Sequence, residues 1–267
     1  MRANRPTRYR HDVAGRNRVL RMRSERLSVI ALMCIANIEP AGGQAVASPR
    51  KRIPRATTTE KPALPTGRRS KLLVNLSMSL DGYVAGPNDG PDNPLGDGGG
   101  KLFEWWTAGS QRVGPDDRFK PPARSVPVVR EMFEGGAVIV GRRTFDIAQG
   151  WGGHHPGGPF FVLTHRTPER WVGPGTGGVA VKDGIESALE KAREVAKGRD
   201  IAIGSADVAK QYLRAGLLDE VFVNLVPTIL GGGVRLFPTL DRMRIDLKCI
   251  QVVESDGVTH LRYRVVK

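Results

Sequence analysis

The stretch that most limits what this chain can become is Gly136-Ala-Val-Ile-Val-Gly-Arg-Arg-Thr-Phe-Asp146. Its four apolar residues, Ala137 to Val140, show no polar side to water, which predicts a buried strand. At Gly141 the strand hands over to a helix-compatible run. A strand that ends there delivers Arg142, Arg143, Thr144 and the first helical N–H groups to one edge of a sheet. Backbone N–H groups at a helix start, with guanidinium forks beside them, make an anion site. The stretch fits a phosphate site, and it fits equally a strand–helix junction with two solvated arginines.

The same handover recurs along the chain. Leu72–Met78 reads as a central strand running into the turn-rich Ser79-Leu-Asp-Gly-Tyr-Val-Ala-Gly-Pro-Asn88. Residues 86–101, rich in Gly, Asp, Pro and Asn, predict a mobile loop. Within it Gly96-Asp-Gly-Gly-Gly-Lys101 lacks the spacing of a phosphate-binding loop, and no G-x-G-x-x-G opens a helix anywhere. Leu102-Phe-Glu-Trp-Trp106 is a short amphipathic segment. Its adjacent tryptophans point in different directions, one onto the core and one toward a cleft, and Trp105 is the candidate for a substrate contact. Val126–Phe133 reads as a helix ending at Gly135-Gly136. His154 and His155, in the loop Trp151–Gly158, read as solvated.

Phe160–Leu163 predicts another short buried strand, ending in Thr164-His-Arg166, and Val179–Val181 a further one. Asp183-Gly-Ile-Glu186 resembles a capping box. The helix after it places Ile185, Ala188, Leu189, Ala192, Val195 and Ala196 on one stripe. Asp200–Ser205 repeats the strand-to-glycine pattern before the helix Ala206–Leu213. Asp219–Val226 is an apolar strand with the glycine-rich exit Pro227–Gly233. Residues 245–254 and 258–266 alternate around Ser255-Asp-Gly257, a hairpin signal; Cys249, in this alternation, reads as a buried thiol. Strands alternating with short helices predict an α/β fold in three layers. Its central sheet is mostly parallel, with the C-terminal antiparallel hairpin at the edge.

Total charge points elsewhere at first. The formal +14 suits a nucleic-acid binder, but residues 1–70 hold 16 of the 41 Lys and Arg and 4 of the 27 Asp and Glu. Their net charge is +12, against +2 for residues 71–267, which hold the other 25 and 23. The chain therefore divides into a basic, disordered extension over 1–70 and one folded domain over 71–267, with no specific nucleic-acid partner. Within the extension, residues 27–47 have a signal-peptide layout of basic flank, apolar run and small residues. The long basic flank, Glu25 and the early stop at Asn37, Glu39 and Pro40 weigh against it, and the expected location is the cytoplasm. No run reaches the roughly 18–20 apolar residues of a membrane span. Two cysteines, Cys34 and Cys249, make neither a disulfide framework nor a zinc site.

Three strands thus end in Gly141-Arg-Arg-Thr144, Thr164-His-Arg166 and Gly204-Ser-Ala206. In open α/β sheets ligands sit beyond the carboxyl ends of the strands. Gly204 before a helix suits a pyrophosphate. Arg142, Arg143, His165 and Arg166 beside Thr144 and Thr164 suit an extra ribose phosphate, which favours NADPH over NADH.

These segments, in this order, resemble the dihydrofolate reductase-like superfamily. More closely they are similar to the C-terminal reductase domain of the bifunctional riboflavin-biosynthesis deaminase–reductase and its stand-alone relatives. The matching pieces are Ser77–Ala85, Val140–Asp146, Val162–Arg166, Ile203–Ala206 with Gln211–Glu220, and Val226–Phe237. The deaminase signature is absent. The resemblance implies an NADPH-dependent reductase, commonly a homodimer, that transfers a hydride to a C=N or C=O carbon of a small heterocycle. It implies a cofactor held by Val84, Ala85, Gly141, Arg142, Arg143, Thr144, Thr164, His165, Arg166, Gly204, Ser205, Ala206 and Asp207. Asp81 becomes the candidate for orienting substrate, and for giving a proton if its pKa is raised. Gly231 and Gly232 border the substrate cleft. The family pattern has glycine where Ser205 stands, and a serine Cβ would resist φ > 0. A non-catalytic nucleotide-binding protein on the same fold is the alternative.

Overall fold

The computed structural model describes residues 67–115, 117–238, 240 and 243–267. The signal-like segment, Cys34 and nearly all of the basic extension lie outside the described residues.

The elements follow the expected order. Strand β1 (Leu72–Ser79) and the short β2 (Tyr83–Ala85) precede a 3-10 helix over Gly99–Thr107 and helix α1 (Val126–Phe133). Then come β3 (Ala137–Gly141), α2 (Arg142–Ile147), β4 (Phe160–Leu163), β5 (Gly178–Val181) and α3 (Ile185–Ala196). The chain closes with β6 (Ile201–Ile203), α4 (Ala206–Arg214), β7 (Glu220–Val226), β8 (Val234–Arg235), β9 (Leu247–Ser255) and β10 (Val258–Val265). Eight strands make one sheet in the order β5-β4-β3-β6-β1-β7-β10-β9. The first six are parallel, and β10 and β9 add antiparallel at one edge. A separate two-stranded pair joins β2 to β8.

Strand β3 explains why helices cover both faces. Its side chains alternate across the sheet. Ile139 joins Leu72, Ile201, Leu189 and Ala192 on the face under α3 and α4. Val138 and Val140 join Phe145 of α2, Trp151 and Phe160 on the other. At the start of β3, a Cβ on Gly136 would lie 2.5 Å from that of Ala196, so the strand passes the end of α3 at a distance only glycine permits. Toward β7, Val126 and Val129 of α1 pack with Trp106 and Phe119.

Four local expectations are corrected. Helix α3 starts at Ile185 with Gly184 before it and no side-chain cap, so Asp183 does not cap it. Val195 is 39% exposed and drops out of the buried stripe. Cys249 is exposed, because β9 is the sheet's outer edge and most of its residues are open to solvent. His155 is half-buried, not freely solvated. Its ring meets Trp151 edge-on at 4.6 Å and lies 6.3 Å from Phe160, and burial pushes its pKa down to about 4. The chain folds back there through left-handed Gly150, Trp151 and Gly152, which turn the loop under the sheet.

Candidate functional site

Strands β4, β3 and β6 are neighbours and parallel, so their carboxyl ends meet along one edge. There they open a cleft of about 660 Å³. From β3 and α2 come Gly141, Arg142, Arg143 and Thr144; from the end of β4 come Thr164, His165 and Arg166. The β6–α4 turn supplies Gly204, Ser205, Ala206 and Asp207, and the opposite wall has Val84 and Ala85 of β2. These thirteen residues, singled out by sequence at separate places, line one cavity.

Its floor is tied by side chains. Ser205 lies before α4 with φ −141°, extended backbone, so its Cβ meets no conformational obstacle. Its hydroxyl does not cap α4. It accepts the Gly141 N–H at 2.9 Å and donates to Thr144 Oγ1 at 2.8 Å, tying the β6 end to the β3 end. Gly204 sits close against β3, where a Cβ would stand 3.2 Å from Val140.

The arginines are held by acceptors. Arg142 Nε donates to both Asp146 oxygens at 2.8 Å, and its Nη1 donates to the Arg166 carbonyl at 2.9 Å. Thr164 Oγ1 donates to that same carbonyl at 2.7 Å. Arg143 Nη2 donates to the Asp89 carbonyl and carboxylate at 2.9 and 2.8 Å. Each guanidinium has five N–H donors, so both keep capacity for an anion. Arg143 is largely exposed, so its ion pair contributes little to stability. Guanidinium groups, threonine hydroxyls and the N-terminus of the nine-residue α4 give this cleft the chemistry of a polyphosphate cradle.

Asp81, Trp105, Gly231 and Gly232 are not in the cleft wall. Asp81 Oδ1 accepts the Ser79 hydroxyl at 2.6 Å and the Leu230 N–H at 3.1 Å, and Oδ2 accepts the Gly231 N–H at 2.7 Å. The Ser79 hydroxyl, then the Gly231 and Leu230 N–H groups, hold its carboxyl down at about 2. The proposed raised pKa is therefore reversed: Asp81 is an ionised latch between two loops. Gly231 adopts φ +75° and donates to that latch, and Gly232 packs near Pro87. Trp105 is 2% exposed, stacked on Trp106, with its Nε1 donating to the Leu102 carbonyl and Ser77 Oγ. It is a core residue.

A second, inner pocket of about 150 Å³ adjoins the cleft, sharing Leu76, Phe103, Thr144 and Gly204 with it. Its wall includes Asn75, Trp106, Phe133, Trp151, His155 and Asn224. Asn75 and Asn224 were missed, although each is the lone amide of a mostly apolar strand. Behind them Asn224 Nδ2 donates to Asn75 Oδ1 at 3.0 Å, and Asn224 Oδ1 lies 2.7 Å from His260 Nδ1. His260 Nε2 lies 2.8 Å from Ser125 Oγ. Burial depresses the His260 pKa to about 4, so the ring is neutral. Because Asn224 Oδ1 can only accept, His260 carries its proton on Nδ1 and accepts from Ser125.

Comparison with known proteins agrees with this architecture. Residues 70–261 match the family model of the RibD C-terminal domain. YyaP of Bacillus subtilis (strain 168), a protein without a characterised activity, is 23% identical over 210 residues, which is 73% of this chain and 95% of YyaP. Among solved structures, a candidate riboflavin biosynthesis protein of Shewanella sp. PV-4 superposes with a TM-score of 0.52 at 24% identity. That match covers 74% of this chain and 99% of the other. The diaminohydroxyphosphoribosylaminopyrimidine deaminase/5-amino-6-(5-phosphoribosylamino)uracil reductase of Thermotoga maritima gives 0.50 at 15% identity, covering 74% and 57%. At these identities the structures establish the shared fold, and the family match extends over most of the chain. The chain belongs to the RibD C-terminal domain family.

Proposed function

We propose that this chain is an NADPH-dependent reductase that transfers a hydride to a C=N or C=O carbon of a small heterocycle. The observation that carries the reading is the convergence of three adjacent strand ends on one cleft with cations and hydroxyls at its rim. The N-terminus of α4 and Gly204 suit the pyrophosphate; Arg142, Arg143, Thr164, His165 and Arg166 suit the adenosine-side phosphates. Bound NADPH supplies the hydride. The chain's own residues orient the reactants. Leu76, Phe103, Thr144 and Gly204 line both cavities, so they form the neck where the inner pocket joins the cleft. A fixed approach of the two reactants is the main catalytic device available.

A second reading has a specific observation in its favour. Asp81 is held ionised, and no carboxyl group lines the inner pocket among the described residues. A chain without a protein acid could bind the dinucleotide and not turn over, unless water delivers the proton. Titrating the full chain with NADPH and NADH by tryptophan fluorescence, then following NADPH oxidation against a panel of pteridines and aminopyrimidines, separates the two. Failure to bind either nucleotide sinks the reductase. Binding without oxidation of any compound favours the second reading.

A further inference from the structure

We infer that the acceptor taken by this chain is a small, uncharged, planar heterocycle bearing no phosphate, seated in the inner pocket and bonded by Asn75. The inference rests on the reductase reading for the hydride, but on the pocket alone for the ligand.

Size comes first. About 150 Å³ falls well below the roughly 300–1,000 Å³ of pockets that enclose drug-sized ligands. One or two fused rings suit it better than a ring carrying a sugar phosphate. Charge comes second. Among the described residues, no Lys, Arg, Asp or Glu lines this pocket, whereas Arg142, Arg143, Arg166 and Lys182 all line the outer cleft. An anion buried without a cation is strongly disfavoured. His155 is the one wall residue that could become a cation. It accepts the Gly157 N–H at Nδ1, 2.9 Å away, so Nε2 carries its proton and the ring stays neutral. The two cavities thus divide the chemistry, phosphates outside and a neutral ring inside.

Bonding comes third. Trp106 is 5% exposed, and its indole N–H has no hydrogen-bond partner among the described residues. That nitrogen is itself closed to water, so Trp106 offers the pocket its ring and not its donor. The chain Ser125–His260–Asn224 fixes the Asn75 amide by occupying its Oδ1, which leaves Asn75 a donor at the wall. One donor and aromatic side chains from Phe103, Trp106 and Phe133 describe a ring with a carbonyl or imine acceptor.

The test uses the full-length chain and two probes, 5,6-diaminouracil and 5-amino-6-(5-phosphoribosylamino)uracil, each titrated by calorimetry with and without saturating NADPH. The neutral probe is expected to bind at least about tenfold more tightly. Asn75→Asp, which keeps the acceptor for Asn224 and removes the donor, should weaken it about tenfold, the equivalent of one lost hydrogen bond, with NADPH affinity unchanged. Phe103→Arg, at the neck, should shift preference toward the phosphorylated probe. Equal or tighter binding of the phosphorylated probe by the unmodified chain overturns the inference. So does no binding of either probe, or a folded Asn75→Asp variant with undiminished affinity. Loss of NADPH binding alone overturns the reductase reading instead, because the cofactor-free titrations remain readable.

Discussion

Ser205 takes the Gly141 N–H at 2.9 Å, so a side chain at the end of β6 fixes the backbone at the end of the neighbouring β3. The same hydroxyl donates to Thr144, which keeps α2 in register with α4. Both helices open onto the cleft, and this one oxygen sets their spacing.

Ser205→Ala is therefore expected to cost about 1–2 kcal/mol in urea unfolding, because the part-buried Gly141 N–H loses its acceptor. NADPH affinity should fall as well, by roughly three- to tenfold, as the cradle loosens. A variant with unchanged affinity would show that the strand-end spacing is held by the sheet ladder alone.

Arg142 and Arg143 separate NADPH from NADH. Arg142→Gln and Arg143→Gln are each expected to weaken NADPH by about ten- to a hundredfold, the worth of a charge-assisted hydrogen-bond pair. NADH, lacking the extra phosphate, should change little. The loss for Arg143 should shrink in high salt, since its side chain is 67% exposed. Equal losses for both nucleotides would assign these arginines to the pyrophosphate.

Asp81 yields a pH prediction. Its folded pKa, about 2, lies below the ordinary carboxylate value, so its contribution is present above the unfolded pKa and lost as pH falls through about 2. Any rate profile for NADPH oxidation from about pH 5 to about pH 9 should carry no inflection from Asp81. Asp81→Asn should lower the melting temperature, because the new amide nitrogen cannot accept from Gly231, yet leave the profile's shape intact. An inflection that disappears in Asp81→Asn would restore Asp81 as a proton donor.

Much of this fold was legible because buried strands write themselves as unbroken apolar runs. Ala137–Val140 and Phe160–Leu163 are read directly, and Gly141 and Gly204 mark where they stop. The strand order was not legible, since no local pattern says that β6 returns between β3 and β1. Cys249 misled because alternation reports a face that could be buried, while burial itself depends on a neighbour that the edge strand β9 lacks among the described residues. Asp81 was legible as a turn residue, but its partners Leu230 and Gly231 lie about 150 positions away. The inner pocket's signal was present in Asn75 and Asn224, polar residues in mostly apolar strands, and it needed the pairing of β1 with β7 to be understood.

His260 gives the clearest stability signature. It is 1% exposed, neutral, and bonded on both ring nitrogens. Its folded pKa of about 4 lies below the ordinary 6.5, so the unfolded chain binds a proton that the folded one refuses. Between these values the unfolded state holds more protons, and stability must fall as pH drops from about 6.5 toward about 4. One such group contributes on the order of 3 kcal/mol across that window, and His155 adds in the same direction. Urea unfolding at about pH 7 and about pH 5 should show the loss. His260→Gln keeps an amide able to bond Ser125 and Asn224 but cannot titrate, so it should flatten the slope even if it lowers stability at neutral pH. An undiminished slope in that variant would place the proton uptake elsewhere and leave the Ser125–His260–Asn224–Asn75 chain without its pH dependence.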